Sequence, residues 1–304
     1  ADRKRVDAVS IPRDTLVDIP ECKSLDGETA GAEEDGQFNS AFANGAGTGN
    51  DKKAVASGAA CTLKTVEKMT DIRIDDFVVV DFNGLSKVVD SLGGVHVQVD
   101  EAIDDPDYTG MKLDEGCQKL DGQTALQYAR VRHGVGDGSD ISRISRQQKL
   151  MNAMASKALS SNLLTQSGFL TSTLETLTTS EHIGQIGNLS GLAYSVQGVG
   201  MDKINFITMP NEQAADENRV VPSENAKKVW KAIKEDKTIP AEAAAPAATD
   251  AGATADDQAA SEEGPTGSSE ADAATTQAPQ TQAPQTGTSS QQPTAKPSAQ
   301  ACPA

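Results

Sequence analysis

An α/β sandwich followed by a non-globular tail is the architecture this sequence predicts, and three observations carry it. Short apolar runs of strand character alternate with segments whose apolar residues recur at helical spacing. Aromatics make up only 3% of the chain, so the core has to be mainly aliphatic. Past Pro240 the composition changes: residues 241–304 contain no aromatic, Leu, Ile or Val. Such a stretch lacks the apolar surface that offsets ordering entropy, so a disordered tail is expected over 239–304 and one domain over 1–238.

The elements follow in order. Residues 6–11 read as a strand ended by Pro12, and residues 16–19 as a second short extended stretch after the polar corner Arg13-Asp14-Thr15. Residues 21–50 are rich in Gly and Ala and read as loop, with a small island at Asn39-Ser40-Ala41-Phe42. Val55, Leu63, Val66 and Met69 give residues 54–70 helical spacing. The run Phe77-Val78-Val79-Val80 reads as a strand buried on both faces. Residues 84–92 look helical and stop at Gly93-Gly94, a helix C-terminal signal. Val95, Val97 and Val99 alternate with polar residues, as in a half-buried strand.

A short helix is expected to end near Tyr128. Asp140 can cap a long helix whose apolar face is Ile144, Met151, Met154, Ala155, Ala158 and Leu159. Residues 169–197 continue as helices, residues 204–210 form a strand, and Pro222-Ser223-Glu224 opens a last helix carrying Val229, Trp230 and Ile233.

The formal net charge is −17, of which the tail holds −7 (eight acidic residues, one Lys) and residues 1–240 the remaining −10. That balance argues against a nucleic-acid binder, which normally displays basic stripes. Against it, four of the nine arginines fall between positions 130 and 146: Arg130, Arg132, Arg143 and Arg146. Guanidinium groups repel unless an anion sits among them, and they grip phosphate in a bidentate way. If residues 128–133 are partly extended, Arg130 and Arg132 share a side. Arg143 and Gln147, four apart, share a helix face near an N-terminus, where backbone N–H groups favour anions. Residues 134–138, with three glycines, could fold these groups toward one point, Asp140 orienting one of them. A phosphate-rich ligand and two solvated faces adjacent in sequence are both open readings. No Walker loop, HExxH, local Ser/His/Asp signature or zinc spacing is present.

Cys22, Cys61, Cys117 and Cys302 are even in number and widely spaced, which suits disulfides in an oxidising compartment; four reduced thiols are the alternative. Cys22 and Cys61 bracket the Gly/Ala-rich loop and are expected to pair, leaving Cys117 with Cys302. No apolar run is long enough to span a bilayer. The opening Ala-Asp-Arg-Lys-Arg resembles a tight turn into a strand, so an upstream hairpin partner, and hence a fragment, is expected.

Val9-Ser10-Ile11-Pro12-Arg13-Asp14-Thr15 with Ile19-Pro20 resembles the signature of the LytR-CpsA-Psr family. So do Asn39-Ser40-Ala41-Phe42, Ile74-Asp75-Asp76-Phe77 with Val80-Asp81-Phe82, and Leu92-Gly93-Gly94-Val95. The stretch from Leu120 through Ala129-Arg130-Val131-Arg132-His133 and the segment from Asp140 to Gln148 complete the likeness, which runs in order over residues 5–238. The resemblance implies a three-layer α/β/α sandwich with a mixed central sheet and a buried lipid-binding tunnel. It implies a phosphotransferase, actinobacterial by its cysteines and tail, that moves a glycopolymer from a polyprenyl pyrophosphate carrier to peptidoglycan or a surface protein. It also implies action outside the bacterial plasma membrane, a tether through an upstream helix, and magnesium (or manganese) on the phosphates. Arg13, Arg130, Arg132, Arg143 and Gln147 would contact the pyrophosphate, with Asp140 and Arg146 in support. The family's metal-binding Asp residues precede the Ser-Ile-Pro-Arg-Asp motif, and Asp7 and Asp14 do not match those positions. A lipid-phosphate-binding or regulatory module without transfer activity, a pyrophosphate hydrolase, and a wall-exposed structural domain are the rival readings.

Overall fold

The computed structural model describes residues 4–24, 27–131, 140–161, 166–216, 218–244 and 302, with the backbone alone for residues 140, 141 and 167. The tail expected to be disordered lies, apart from its first residues and Cys302, outside the described residues. The architecture is mixed α/β, and each element has a local cause.

Strand β1 (Val6–Ser10) runs parallel to β12 (Ile204–Thr208), Val6 opposite Ile204 and Ser10 opposite Thr208. After the Pro12 corner, where the Thr15 hydroxyl donates to the Pro12 carbonyl at 2.7 Å, β2 (Leu16–Ile19) follows. The stretch expected to be loop is ordered instead. It contains β3 (Cys22–Lys23), β4 (Thr29–Ala30), β5 (Glu33–Gln37) and helix α1 (Phe38–Ala46). The abundant Gly and Ala misled here because they permit close helix packing: a Cβ on Gly45 would lie 2.5 Å from the Ser57 carbonyl of α2 (Lys52–Thr70). Cys22 and Cys61 pair as expected, buried with Val17, Ile19 and Ala41.

The apolar run at 77–80 does not form a strand buried on both faces. Only β6 (Val78–Val79) is strand, Val78 and Val80 are 49% and 50% exposed, and Asp81 turns the chain into α3 (Phe82–Ser91) by accepting from the Gly84 N–H. Helix α3 stops where predicted, with Gly93 at φ 76°. Strand β7 (Val95–Val99) shows the predicted alternation, its three valines buried. The short pair β8 (Ile103–Asp105) and β9 (Met111–Leu113) leads to β10 (Gly116–Leu120), which runs antiparallel to β7.

Helix α4 (Gly122–Arg130) is capped by Asp121, whose carboxylate accepts from the Thr124 N–H at 2.8 Å; that bond holds its pKa below the usual value. Only glycine fits at its first position: a Cβ on Gly122 would lie 2.2 Å from the Ser86 carbonyl of α3. Helix α5 (Asp140–Ser160) starts at Asp140 and buries Ile144, Leu150 and Ala158. Met151, expected on the apolar face, is 53% exposed. Leu150 takes the inward place, one residue earlier, because that face meets the β7 valines.

Helix α6 (Ser167–Thr176), β11 (Thr178–Thr179) and α7 (Ile186–Gln197) follow, β11 pairing with β6. After β12 come β13 (Asn211–Gln213), β14 (Val220–Pro222), α8 (Glu224–Lys234) and α9 (Ala241–Ala244). The strands are two to five residues long, and among the described residues the ladders are each two strands wide, one parallel and six antiparallel. The main aliphatic core joins α3, α4, α5, β7 and β10 through Val89, Val95, Leu120, Ala125, Val131 and Leu150. No helix among the described residues is long and apolar enough to cross a membrane.

Candidate functional site

The arginine-bearing segments meet where the end of α4 abuts the start of α5. Tyr128–Arg130 is not extended as expected: α4 continues through Arg130, and Val131 turns out of it at φ −57°, ψ 135°, while Arg132 and His133 lie outside the described residues. Arg130 is therefore the last helical residue, exposed, its guanidinium carbon 4.7 Å from the centre of the Phe82 ring at the start of α3. A cation over an aromatic face is held without neutralising its charge.

From α5, two side chains reach back and lock the junction. Arg146, 8% exposed, donates from Nη2 to the Val131 carbonyl at 2.7 Å. Gln147 donates from Nε2 to the Ala129 carbonyl at 3.2 Å. Both accept-side carbonyls belong to the last turn of α4, which has no intrahelical partners of its own there. Arg143 lies one turn before Gln147, on the same face and in the first turn of α5, half-buried. Arg146 and Gln147 thus join the end of α4, which carries Arg130, to the first turns of α5, which carry Arg143. Arg132 lies outside the described residues, and of Asp140 only the backbone is described, so its expected cap and guanidinium contact lie outside them too.

The next residue of α5, Gln148, was not anticipated. Its Nε2 donates to the Ser10 hydroxyl at 2.9 Å and to the Thr208 hydroxyl at 3.1 Å, pinning the helix across the carboxyl ends of β1 and β12. Arg13 stands three residues past Ser10, at that same end. Its Nε donates to Asp14 at 3.1 Å, and Asp14 also accepts from Gln37 and faces Arg219 at 3.9 Å. Arg219, from the turn between β13 and β14, is a second cation at this corner; it stands alone in sequence and carries no local signal. Ligands of α/β folds commonly sit beyond the carboxyl ends of parallel strands, where Arg13 is placed.

Under this corner Tyr128 is 2% exposed, and burial pushes its phenol up to about 12, with the Arg146 charge opposing and the Asp100 charge assisting. No group of three or more metal-ligating side chains is present among the described residues. Asp7 accepts from Arg5 at 2.8 Å and from Asn205 at 2.7 Å, and Asp14 is engaged as above. These two carboxylates, each occupied by protein donors, do not fit a magnesium site.

A second feature escaped the sequence. A cavity of about 530 Å³ opens between the start of β1 and α7, walled by Val6, Ile183, Leu192, Val196 and Val199. At its rim Asp76 accepts from Ser180 and lies 2.8 Å from His182 Nδ1; the Ser180 bond, then the His182 bond, depress its pKa. The helical spacing of α7 was visible, but its partner face was not.

The second disulfide, Cys117–Cys302, is present as expected, Cys117 exposed on β10. Comparison with known proteins gives a consistent picture. A cell wall biosynthesis protein, LcpA of Corynebacterium glutamicum, is 30% identical over 206 residues, 67% of this chain and 39% of that protein. The TagV teichoic acid transferase of Bacillus subtilis is 33% identical over 163 residues, 52% of this chain and 36% of that protein. The chain thus spans about two fifths of the length of either relative. The crystal structure of B. subtilis TagV superposes with a TM-score of 0.54 at 25% identity, covering 76% of this chain and 83% of that one. A LytR-Csp2A-Psr enzyme from Actinomyces oris shares the fold, with a TM-score of 0.58 at 19% identity over 77% and 82% of the two chains. The LytR_cpsA_psr family model matches residues 1–235, and the chain belongs to that family.

Proposed function

We propose that this chain is the catalytic part of an extracytoplasmic phosphotransferase that moves a glycopolymer from a polyprenyl pyrophosphate carrier to peptidoglycan or a surface protein. The observation that carries the reading is the locked α4–α5 corner. Gln147 and Arg146 tie the start of α5 to the end of α4, and in this reading Arg130, Arg132 and Arg143 would meet the phosphates there. The names of the teichoic acid transferase relatives support the chemistry.

In this reading an acceptor hydroxyl attacks the phosphorus that bears the glycan. The bond to the bridging oxygen of the pyrophosphate breaks, the acceptor's proton passes to solvent, and polyprenyl phosphate leaves. Phosphoryl transfer asks for positioning and charge neutralisation rather than covalent help. Arg13, Arg130, Arg132, Arg143 and Gln147 would bind the phosphates, and charge growing on the leaving phosphate would be met by guanidinium groups already in place. Arg146, buried and spent on the Val131 carbonyl, would position the others, with Asp140 beside it. Magnesium or manganese would add charge neutralisation; no described residue is assigned to hold it. The prenyl chain would lie in a tunnel continuous with the apolar cavity at Val6, Leu192 and Val196, between the layers of an α/β/α sandwich. A helix upstream of this chain would supply the membrane tether.

The test is transfer of labelled glycopolymer to an acceptor glycan by the membrane-tethered protein. Arg143→Ala and Arg132→Ala are each expected to slow transfer about 100-fold or more, the scale for losing one preorganised charge-stabilising donor, with melting temperature unchanged within a few degrees. Near-normal transfer by both variants refutes the assignment. Wild-type release of prenyl phosphate with water as the sole acceptor would make the protein a hydrolase. Ligand binding with neither outcome would leave a binding module.

A further inference from the structure

We infer that the polar flank of α5 beside β7 walls a saccharide-binding trough that leads an acceptor glycan to the guanidinium corner. The inference rests on the transfer reading above and extends it to the acceptor. Ser142, Ser145, Lys149, Asn152 and Ser156 recur at intervals of three, four, three and four, which aligns them as one stripe along a helix. The stripe is polar throughout and separate from the buried face of Ile144, Leu150 and Ala158; Ser145 and Asn152 on it are exposed. It runs over fifteen residues, from Ser142 to Ser156, a rise of about 21 Å.

All five residues line two neighbouring cavities. The upper one, about 130 Å³, takes in Ser142, Ser145 and Arg146; the lower one, about 260 Å³, takes in Asn152 and Ser156. Asp100 and Lys149 belong to both, and they form an ion pair with each other. The opposite wall of the lower cavity is β7, whose alternation sends Val95, Val97 and Val99 into the core and leaves His96 and Gln98 half-buried beside it.

The chemistry of this lining selects the ligand class. Amides at Gln98 and Asn152, hydroxyls at Ser142, Ser145 and Ser156, and the His96 imidazole each combine donor and acceptor capacity. Vicinal hydroxyl and acetamido groups require that mixture. Asp100 and Glu101 match Lys149 and Arg146 in number, so the trough carries no excess of positive charge to select a polyanion. The trough's upper end contains Arg146, one hydrogen bond from Val131 and so adjacent to Arg130. Its lower end is bounded by Cys302, bridged to Cys117 and 3.8 Å from the Gln98 amide oxygen. A glycan lying here would present its upper unit to the phosphate-binding corner.

The test uses the linear tetramer of N-acetylglucosamine as probe, followed by saturation-transfer NMR and titration on the full chain with both disulfides intact. Wild type is expected to bind at roughly millimolar strength, and Asn152→Leu and Ser156→Leu each to weaken binding about tenfold. Arg143→Ala should bind the tetramer as wild type does. A short prenyl pyrophosphate, run in parallel, should raise the melting temperature of wild type and Asn152→Leu but not of Arg143→Ala. No tetramer binding by wild type, or wild-type affinity in both leucine variants, overturns the trough. A peptide of alternating L- and D-residues that binds wild type, is lost in Asn152→Leu and displaces the tetramer would make the trough a peptide site and also overturn the inference. Tetramer binding without any prenyl pyrophosphate effect would leave the trough standing while the phosphate corner falls.

Discussion

The packing around α4 and α5 differs sharply from that of the flank built by β6, β11 and α7. Around α4 the core is dense: Val95, Leu120, Ala125 and Val131 have no solvent exposure. Along the flank, large apolar side chains face solvent, with Val78, Leu192 and Tyr194 each about half exposed or more. Guanidinium groups have to be held at fixed separations to match phosphate oxygens, and a close-packed support resists the rotamer freedom that would spread them. A long apolar ligand needs the opposite, a surface that is apolar but not yet satisfied by the protein itself. The division of packing follows the division of tasks proposed for the head and tail of one substrate.

The largest effect that would test this contrast is on stability. Leu120→Ala removes a fully buried side chain beneath α4 and is expected to destabilise the protein by about 3–5 kcal/mol in urea unfolding. Leu192→Ala, at a half-exposed position on α7, should stay within about 0.5 kcal/mol. Similar losses for the two would remove the contrast.

Tyr128 sharpens the same point from the pH side. Its phenol is raised to about 12 by burial, so the folded state holds its proton more tightly than the unfolded chain, which titrates near 10. Between those values the native state binds more protons, and stability must fall as pH rises. The contribution is complete below pH 10 and is lost through pH 12, amounting to roughly 2–3 kcal/mol. Tyr128→Phe should flatten the alkaline slope of unfolding free energy. An unchanged slope would show that the ground beneath the arginine corner is wetter than its packing indicates.

What could be read in the sequence divides along the same line. The β7 alternation, the Gly93 stop and the long helix from Asp140 are local patterns, and the structure has them. The arginine cluster was equally legible because four arginines stand within seventeen residues. Gln148 and Arg219 were not, because their partners Ser10, Thr208 and Asp14 lie far along the chain. Local pattern also misread the Val78–Val80 run. Apolar residues that face solvent look the same in sequence as residues of a core, and only the packing around them tells them apart. The α5 stripe escaped for the converse reason: polar residues at helical spacing read as a solvated face unless the wall opposite them is known.

The smallest effect expected belongs to the rim of the apolar cavity, and it probes whether the flank is held in place at all. Asp76 joins the segment before β6 to the turn between β11 and α7 through Ser180 and His182, and these two bonds hold its pKa below 3.8. A depressed carboxylate stabilises the fold above its unfolded value and ceases to do so as pH falls through its folded value. The loss is therefore confined to the acid side of pH 3.8. It should be small, because the Asp76 carboxylate is within reach of water, which competes for its bonds. Amide exchange measured across that range should rise first at residues 178–188 in wild type, ahead of the β7–β10 ladder. Asp76→Asn should show the faster exchange already at neutral pH, with the protection of Val95–Val99 unchanged. If acid opened the two regions together, the flank would be part of the dense core's cooperative unit, and a soft apolar wall for a lipid chain would lose its structural basis.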